Sequence, residues 1–300
     1  MLGGGRSLSF GGGALAVAGA LSRGLTVYAA RRTRMAYDSG FVPAERTSTA
    51  GRAIVYVLLR GWVAWRDPLQ RFEGPTALVV PKSLVDGTNG RRPRAFANFG
   101  DPLEVLTVEC ADVEAPAAIE SRPIDAAAWR GLGDAQAAML TAQGSSEVSG
   151  GARRAVAALV RARVLPERVG RVVDGPPEAV ARVWSGIAET WERGALPSLA
   201  EVAARTRTST RQVQRDLALL GREVLSLGSV PQWRDAMLRM RLKLAVTLLG
   251  APGGTVAEVA ASVGYRSSAA LARAFRDAGV VASPAEVQRY LRELVSQSIS

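Results

Sequence analysis

The chain has 300 residues, enough for two domains with separate cores, and at 48% hydrophobic and 22% charged residues it is neither disordered nor fibrous in composition. A formal charge of +11 points to an acidic polymer as partner, and 36 of the 38 basic residues are arginines, whose forked guanidinium suits phosphate and guanine. Histidine is absent and cysteine occurs once, which argues against a histidine general base, a typical metal centre and an internal disulfide.

The first hundred residues are predicted to be strands. Arg52 to Arg60 is rich in β-branched and aromatic types, and Gly61 then leads into Trp62-Val63-Ala64-Trp65, as a hairpin or a strand bent at a glycine. Further short strands are expected at Thr76 to Val80, Arg94 to Asn98 and Leu103 to Val108, with Asp86 to Gly90 as turn punctuation. Strands at such close spacing suggest a sandwich or small barrel. Cys110 lies in an apolar run and reads as a core residue. Ala14 to Leu21 is apolar but well short of the ~20 residues of a membrane span, so the chain is expected off the membrane; a signal peptide stays open there, although a cytoplasmic chain is expected.

From about Val113 the composition turns alanine-rich and helical, and Gly144 to Gly151 reads as a flexible break. Between Pro177 and Gly194, the residues Val180, Val183, Trp184, Ile187 and Trp191 recur at helical spacing, as a core stripe or a dimer seam.

After Pro197 the chain repeats itself. Ser198-Leu199-Ala200-Glu201-Val202-Ala203-Ala204 returns as Thr255-Val256-Ala257-Glu258-Val259-Ala260-Ala261, each copy opening on Ser/Thr with Glu three residues later, the pattern of a capping box. Each is followed by a short turn and a second helix, starting at Ser209 (with Gln212 closing a further box) and at Ser267. Helix, tight turn and helix is the layout in which the second helix enters the major groove. Val202, Val213 and Leu217 face inward in the first copy, and Val259, Leu271 and Phe275 in the second. That leaves Thr210, Arg211, Gln214 and Arg215 to read bases, arginine matching guanine and glutamine matching adenine. The second reading helix offers Ala269, Ala270 and Ala272, with Ser268, Arg273 and Arg266 as its polar contacts. The first copy is therefore expected to discriminate sequence and the second chiefly to hold phosphate. Between them, Gln232 to Leu249 forms a helical strut, and another capping box at Ser283 to Glu286 starts a final helix.

These features resemble the AraC/XylS family of transcription regulators: two helix-turn-helix units, the bridging Arg241-Leu242-x-x-Ala245-x-x-Leu248-Leu249, and Gly264-Tyr265 ahead of the second reading helix. Departures are Arg207 where glycine is common in the first turn, about eight extra residues around Gly221 to Val230, and Pro284 one position late. The resemblance implies an α+β chain with a cupin-like N-terminal β-barrel, a helical connector and a C-terminal all-α domain. The expected divisions are 1–112 for sensing and dimerisation, 113–196 for the connector and dimer seam, and 197–300 for DNA binding. It implies double-stranded DNA as partner, a homodimer, a small-molecule effector, and RNA polymerase if the protein activates. Arg52 to Gly61 resembles a cupin strand, yet Ile54 and Ser48-Thr49-Ala50 stand where metal ligands would be, so neither a metal, a cofactor nor catalysis is expected. An effector pocket would be lined by Tyr28, Tyr56, Trp62 and Trp65, unless these aromatics simply fill the barrel. The competing readings are a ligand-independent regulator, an architectural DNA-binding protein, and, least favoured, a cupin-type enzyme fused to a DNA-binding tail.

Overall fold

A computed structural model describes residues 1–22, 24–42, 52–66, 69–85, 96–171, 178–192, 197–220 and 233–299. The N-terminal half is an antiparallel sheet of nine described strands: β1 (Leu2–Phe10), β2 (Gly13–Ser22), β3 (Leu25–Thr33), β4 (Tyr37–Asp38), β5 (Arg52–Arg66), β6 (Leu69–Glu73), β7 (Thr76–Pro81), β8 (Phe96–Glu114) and β9 (Glu120–Arg122). Their order is β1-β2-β3-β8-β5-β7-β9, with β4 pairing β8 and β6 pairing β5. The α+β class is as expected, but the described strands form an open path ending at β1 and β9 rather than the closed barrel the resemblance implied.

β5 is a bent strand, not a hairpin. Gly61 has φ +87°, and a Cβ there would lie 3.0 Å from the carbonyl oxygen of Pro102, so only glycine accommodates this backbone beside β8. Before the bend β5 pairs with β7; after it, with β6. The expected strands at 94–98 and 103–108 belong to one long β8, whose register against β5 shifts on either side of Arg60. Arg94 and the turn at 86–90 lie outside the described residues, as do Ser48, Thr49 and Ala50. Ala14 to Leu21 forms most of β2.

Helices follow in chain order: α1 (Lys82–Val85), α2 (Ala126–Thr141), α3 (Ser145–Arg161), α4 (Glu167–Arg171), α5 (Glu178–Glu192), α6 (Leu199–Thr206), α7 (Thr210–Leu219), α8 (Trp233–Leu249), α9 (Val256–Ser262), α10 (Ser268–Asp277) and α11 (Pro284–Ile299). The long helices begin at Ala126, later than expected, because β8 runs on to Glu114 and β9 intervenes. The glycine- and serine-rich stretch after Gly144 is the first two turns of α3, not a break. Glu147 sits in its first turn, accepting a bond from the Gln143 N–H, and Gly151 lets α2 approach until an added Cβ would meet Met139 Cγ at 2.6 Å. α2 and α3 cover one sheet face, burying Val27, Val55, Leu106, Val108 and Cys110 against Leu132, Met139 and Leu159.

The helix pairs attach to the sheet separately. α5 packs on α6 and α7 through Val180, Val183, Val202, Val213 and Leu220, joined by Leu21 of β2, and the Trp184 indole donates to the Gly3 carbonyl (3.4 Å). Val180 and Val183 are thus buried within the protomer, while the side chain of Trp191 lies outside the described set. α8 to α11 share one core with the sheet: Leu15, Met35, Ala36 and Ala64 pack among Leu242, Val246, Leu249, Val259, Phe275 and Leu291. This seam includes direct backbone approach. A methyl on Gly250 would overlap the Ala36 carbonyl, and the Gly253 N–H donates to the Gly11 carbonyl at 2.7 Å.

Gly250→Ala should therefore cost about 1–3 kcal/mol by overpacking against backbone. Gly131→Ala, in the interior of α2 with nothing near its added Cβ, should stabilise by roughly 0.5–1 kcal/mol through helix propensity. Urea-unfolding midpoints of the two variants check both signs.

Candidate nucleic-acid interface

The two helix pairs share their chemistry from cap to turn. Ser198 and Thr255 each accept from the N–H of the glutamate three residues on, while Glu201 and Glu258 accept from the cap N–H in return (2.6 and 2.7 Å). Ser283 and Glu286 form the same box at the start of α11. Those bonds hold the carboxyls below their ordinary range: cap backbone N–H groups contribute most at Glu201 and Glu258, and the Ser283 side chain at Glu286. With folded values depressed, this contribution is present above the unfolded carboxylate range and is lost as pH falls through the folded values.

The turns match as well. After α9, Gly264 has φ +83°; its N–H bonds the Ala261 carbonyl and the Tyr265 N–H bonds that of Ala260. This pair of bonds closes a Schellman motif. After α6, Arg207 takes the same place at φ +53°, with Arg207 N–H to Ala204 and Thr208 N–H to Ala203. One geometry is built with glycine in the second copy and with a strained arginine in the first.

On α7, Val213 is buried, Leu217 partly buried, and Thr210, Arg211, Gln214 and Arg215 are exposed. Their spacing puts these four on one side of the helix, and their side chains form no hydrogen bond or ion pair with a described residue. Ser209 caps the helix, but Gln212 does not close the box expected of it. Its amide donates instead to Asp216 Oδ1 at 2.6 Å. Asp216 is 3% exposed and also receives Arg182 of α5 at 3.3 Å, so a buried carboxylate ties the reading helix to its support. That inward aspartate was not anticipated, because the sequence alone does not pair it with an arginine 34 positions earlier.

On α10, Leu271 and Phe275 are buried, Arg266 and Arg273 exposed, and Ser268 partly buried behind its cap Ser267. Ala269 is exposed, with Ala270 and Ala272 partly so. Arg276, one turn beyond Arg273, is also exposed and extends the basic edge; periodicity from Arg273 would have found it. Residues Gly221 to Val230 lie outside the described residues.

The four aromatics expected around an effector do not converge. Tyr56 and Trp65 share one cluster with Leu58, Leu78 and Leu103. Trp62 belongs instead to the core under α8, with Arg71 stacked on its ring at 4.2 Å. Tyr28 is 43% exposed and covers Gly19 of β2, although it and Tyr56 both stand opposite Thr107. Opposite Leu103 of the Tyr56 cluster stands Arg32 of β3. Its guanidinium stacks on Tyr37 at 4.4 Å, and its Nε and Nη1 are buried without an acceptor. Burial pushes this guanidinium below its ordinary value, offset in part by Tyr37 and Tyr56. Each orphan donor costs about 1–3 kcal/mol, whereas a cation–π contact returns about 0.5–2 kcal/mol. The cost wins.

No group of three potential metal ligands occurs among the described residues. None of the described helices is long and apolar enough to cross a membrane.

No protein-family model matches the chain, and no curated protein is similar to it at a significant level. Among solved structures it is similar to ToxT from Vibrio cholerae at 9% identity and a TM-score of 0.39, covering 91% of this chain and 99% of that one. It is similar at 9% and 0.38 to ToxT with a bound unsaturated fatty acid (91% and 96% covered), and at 11% and 0.29 to the AraC-like transcriptional activator CuxR (94% and 86%).

Arg207→Gly removes a left-handed L-residue, worth about 1–2 kcal/mol, and adds unfolded-state entropy worth roughly 0.5–1 kcal/mol. The variant should melt slightly higher than the parent in calorimetry.

Proposed function

We propose that this chain is a sequence-specific DNA-binding transcription regulator of the AraC/XylS kind. The observation that carries the reading is the duplicated unit: two boxed helices, two Schellman turns and two reading helices, the first presenting Thr210, Arg211, Gln214 and Arg215 outward without partners among the described residues. Arginine at a guanine edge and glutamine at an adenine edge supply base discrimination. On the second unit, Arg266 and Arg273 with Ser268 hold phosphate, and the alanines offer at most contact with a thymine methyl.

The protein works in the cytoplasm as a homodimer. Two protomers put four reading helices on one site, and affinity rises through effective concentration. The N-terminal sheet domain mediates pairing and responds to a small-molecule effector, which acts only by binding two arrangements of the reading helices unequally. If the regulator activates, RNA polymerase is its further partner. The architectural alternative makes the opposite forecast for selectivity. Selection of full-length protein against random duplexes at moderate salt should enrich one motif, and recovery of unselected sequence would overturn the proposal.

Arg211→Ala should then lose about 1–3 kcal/mol of discrimination at one base position. Arg273→Ala should weaken binding to selected and scrambled duplexes alike and flatten the salt dependence by about one unit of slope. Fluorescence anisotropy on both duplexes over a salt series checks this, and equal loss of discrimination in the two variants would refute the asymmetry.

A further inference from the structure

We propose that the outer face of α3 is a second, sequence-independent surface for duplex DNA, separate from the two reading helices and sharing with the proposed function only the choice of partner. Helical spacing puts Ser146, Gly150, Arg153, Arg154, Ala157 and Arg161 on one side of α3, and each is exposed or half-buried. The other side is core, with Val148, Ala152, Ala155, Val156 and Leu159 buried. Between Ser145 and Arg171 the chain has six arginines and two glutamates, with no lysine or aspartate. Glu147 is engaged at the start of the helix by the Gln143 N–H, and Glu167 opens α4. Arg153, Arg154 and Arg161 form no ion pair with a described residue.

Helix electrostatics account for only part of this stripe. A cation suits the negative end of a helix, which covers Arg161 and also Arg163, just beyond the end, whose φ of +58° fills a turn position usual for glycine. Arg153 and Arg154 stand in mid-helix instead, and no acid lies three or four residues from either. Like charges held along one face raise a local field that draws in a polyanion. The spacing selects which one. Arg153 and Arg161 are eight residues apart, about 12 Å along the helix axis, and the major groove of B-DNA is about 12 Å wide. Laid across that groove, α3 sets Arg153 and Arg154 on one phosphate rim and Arg161 on the other, with the small Ala157 between them. Phosphate contacts of this kind carry no sequence information.

The stripe lies across the sheet from the second reading helix. Leu15 and Ala18 of β2 are three residues apart and so point to opposite faces of the sheet. Ala18 belongs to the core under α2 and α3, and Leu15 to the core shared with α8 to α11. A duplex on α3 and a duplex on α10 are therefore different segments, and the protein joins them. A second copy of the chain fits the face poorly, because arginines would meet arginines across a two-fold axis. A bilayer fits it poorly too, since the apolar side of α3 is buried in the core and none is left to insert.

The test offers a fluorescent duplex of unrelated sequence to full-length protein already saturated with its selected duplex. It compares the parent with the triple variant Arg153→Gln/Arg154→Gln/Arg161→Gln, whose changes touch neither the core nor a reading helix. The two proteins should melt together and bind the selected duplex equally well. The parent should take up the further duplex, and the variant should take it up at least about tenfold more weakly. Raising salt from about 50 to about 200 mM should weaken the parent's second event by about 40-fold, the figure for counterions released at three phosphates. The proposal is overturned if the variant takes up the further duplex as well as the parent, or if neither takes it up. Uptake of polyglutamate or phosphatidylglycerol vesicles through these arginines, with no uptake of duplex, would overturn it too and assign the stripe to an acidic protein or a membrane surface. If selection yields no motif, saturation with random duplex replaces it: the proposed function then falls, while an arginine-dependent second event would stand on its own.

Discussion

The seam between the sheet and the segment from Gly250 to Gly254 is the constraint on which the rest depends. Here backbone meets backbone: Gly250 against the Ala36 carbonyl, Gly253 hydrogen-bonded to Gly11, and Gly254 under the Phe10 ring. Only residues without a Cβ permit that approach. Because it exists, Leu15, Met35, Ala36 and Ala64 can complete the core of the second helix-turn-helix unit. From the other side, Gln288 and Arg292 of α11 both donate to the Gly254 carbonyl, so the seam is gripped by the last helix too.

The first unit is held differently. Its supporting helix α5 lies along β1 through Trp184 and Gly3, and Arg182 fixes the back of the reading helix through Asp216. Two reading helices thus hang from one sheet by separate attachments, one sharing the sheet's core and one leaning on its edge. In the sequence, Gln232 to Leu249 reads as the strut between them. The shared core gives the sheet domain a direct part in placing the second of them.

Local chemistry made the C-terminal helical half readable. Boxes such as Ser198/Glu201 and Thr255/Glu258, the glycine at 264, and the inward periodicity of Val259, Leu271 and Phe275 are short-range signals, and short-range bonds realise them. Arg207 shows the same turn persisting where its usual residue is missing, since the two closing hydrogen bonds fix the geometry. The sheet was harder. Its first strand is the glycine-rich Leu2–Phe10, which pairs with β2 as a hairpin and packs closely at Gly3 under Ser145 and Val148, contacts that lie far off in the sequence. Serine and glycine after Gly144 suggested a break because propensity cannot see that Gly151 admits Met139. Among the aromatics, the register shifts on either side of Arg60 interrupt the alternation of β5, so Tyr56 and Trp65, an odd number of residues apart, enter one core and Trp62 another, which simple alternation does not forecast. Arg32 escaped notice for a related reason: the burial of its Nε and Nη1 is a property of the strands around it.

The central claim is that one chain seats two unequal reading helices on a single face of a duplex. Hydroxyl-radical footprinting of the full-length protein on a selected site tests this most directly. The account predicts paired protected blocks per protomer, about one helical turn or ~34 Å apart and on the same face, with sequence constraint concentrated in the block under Arg211. A single block, or two blocks on opposite faces of the helix, would contradict it.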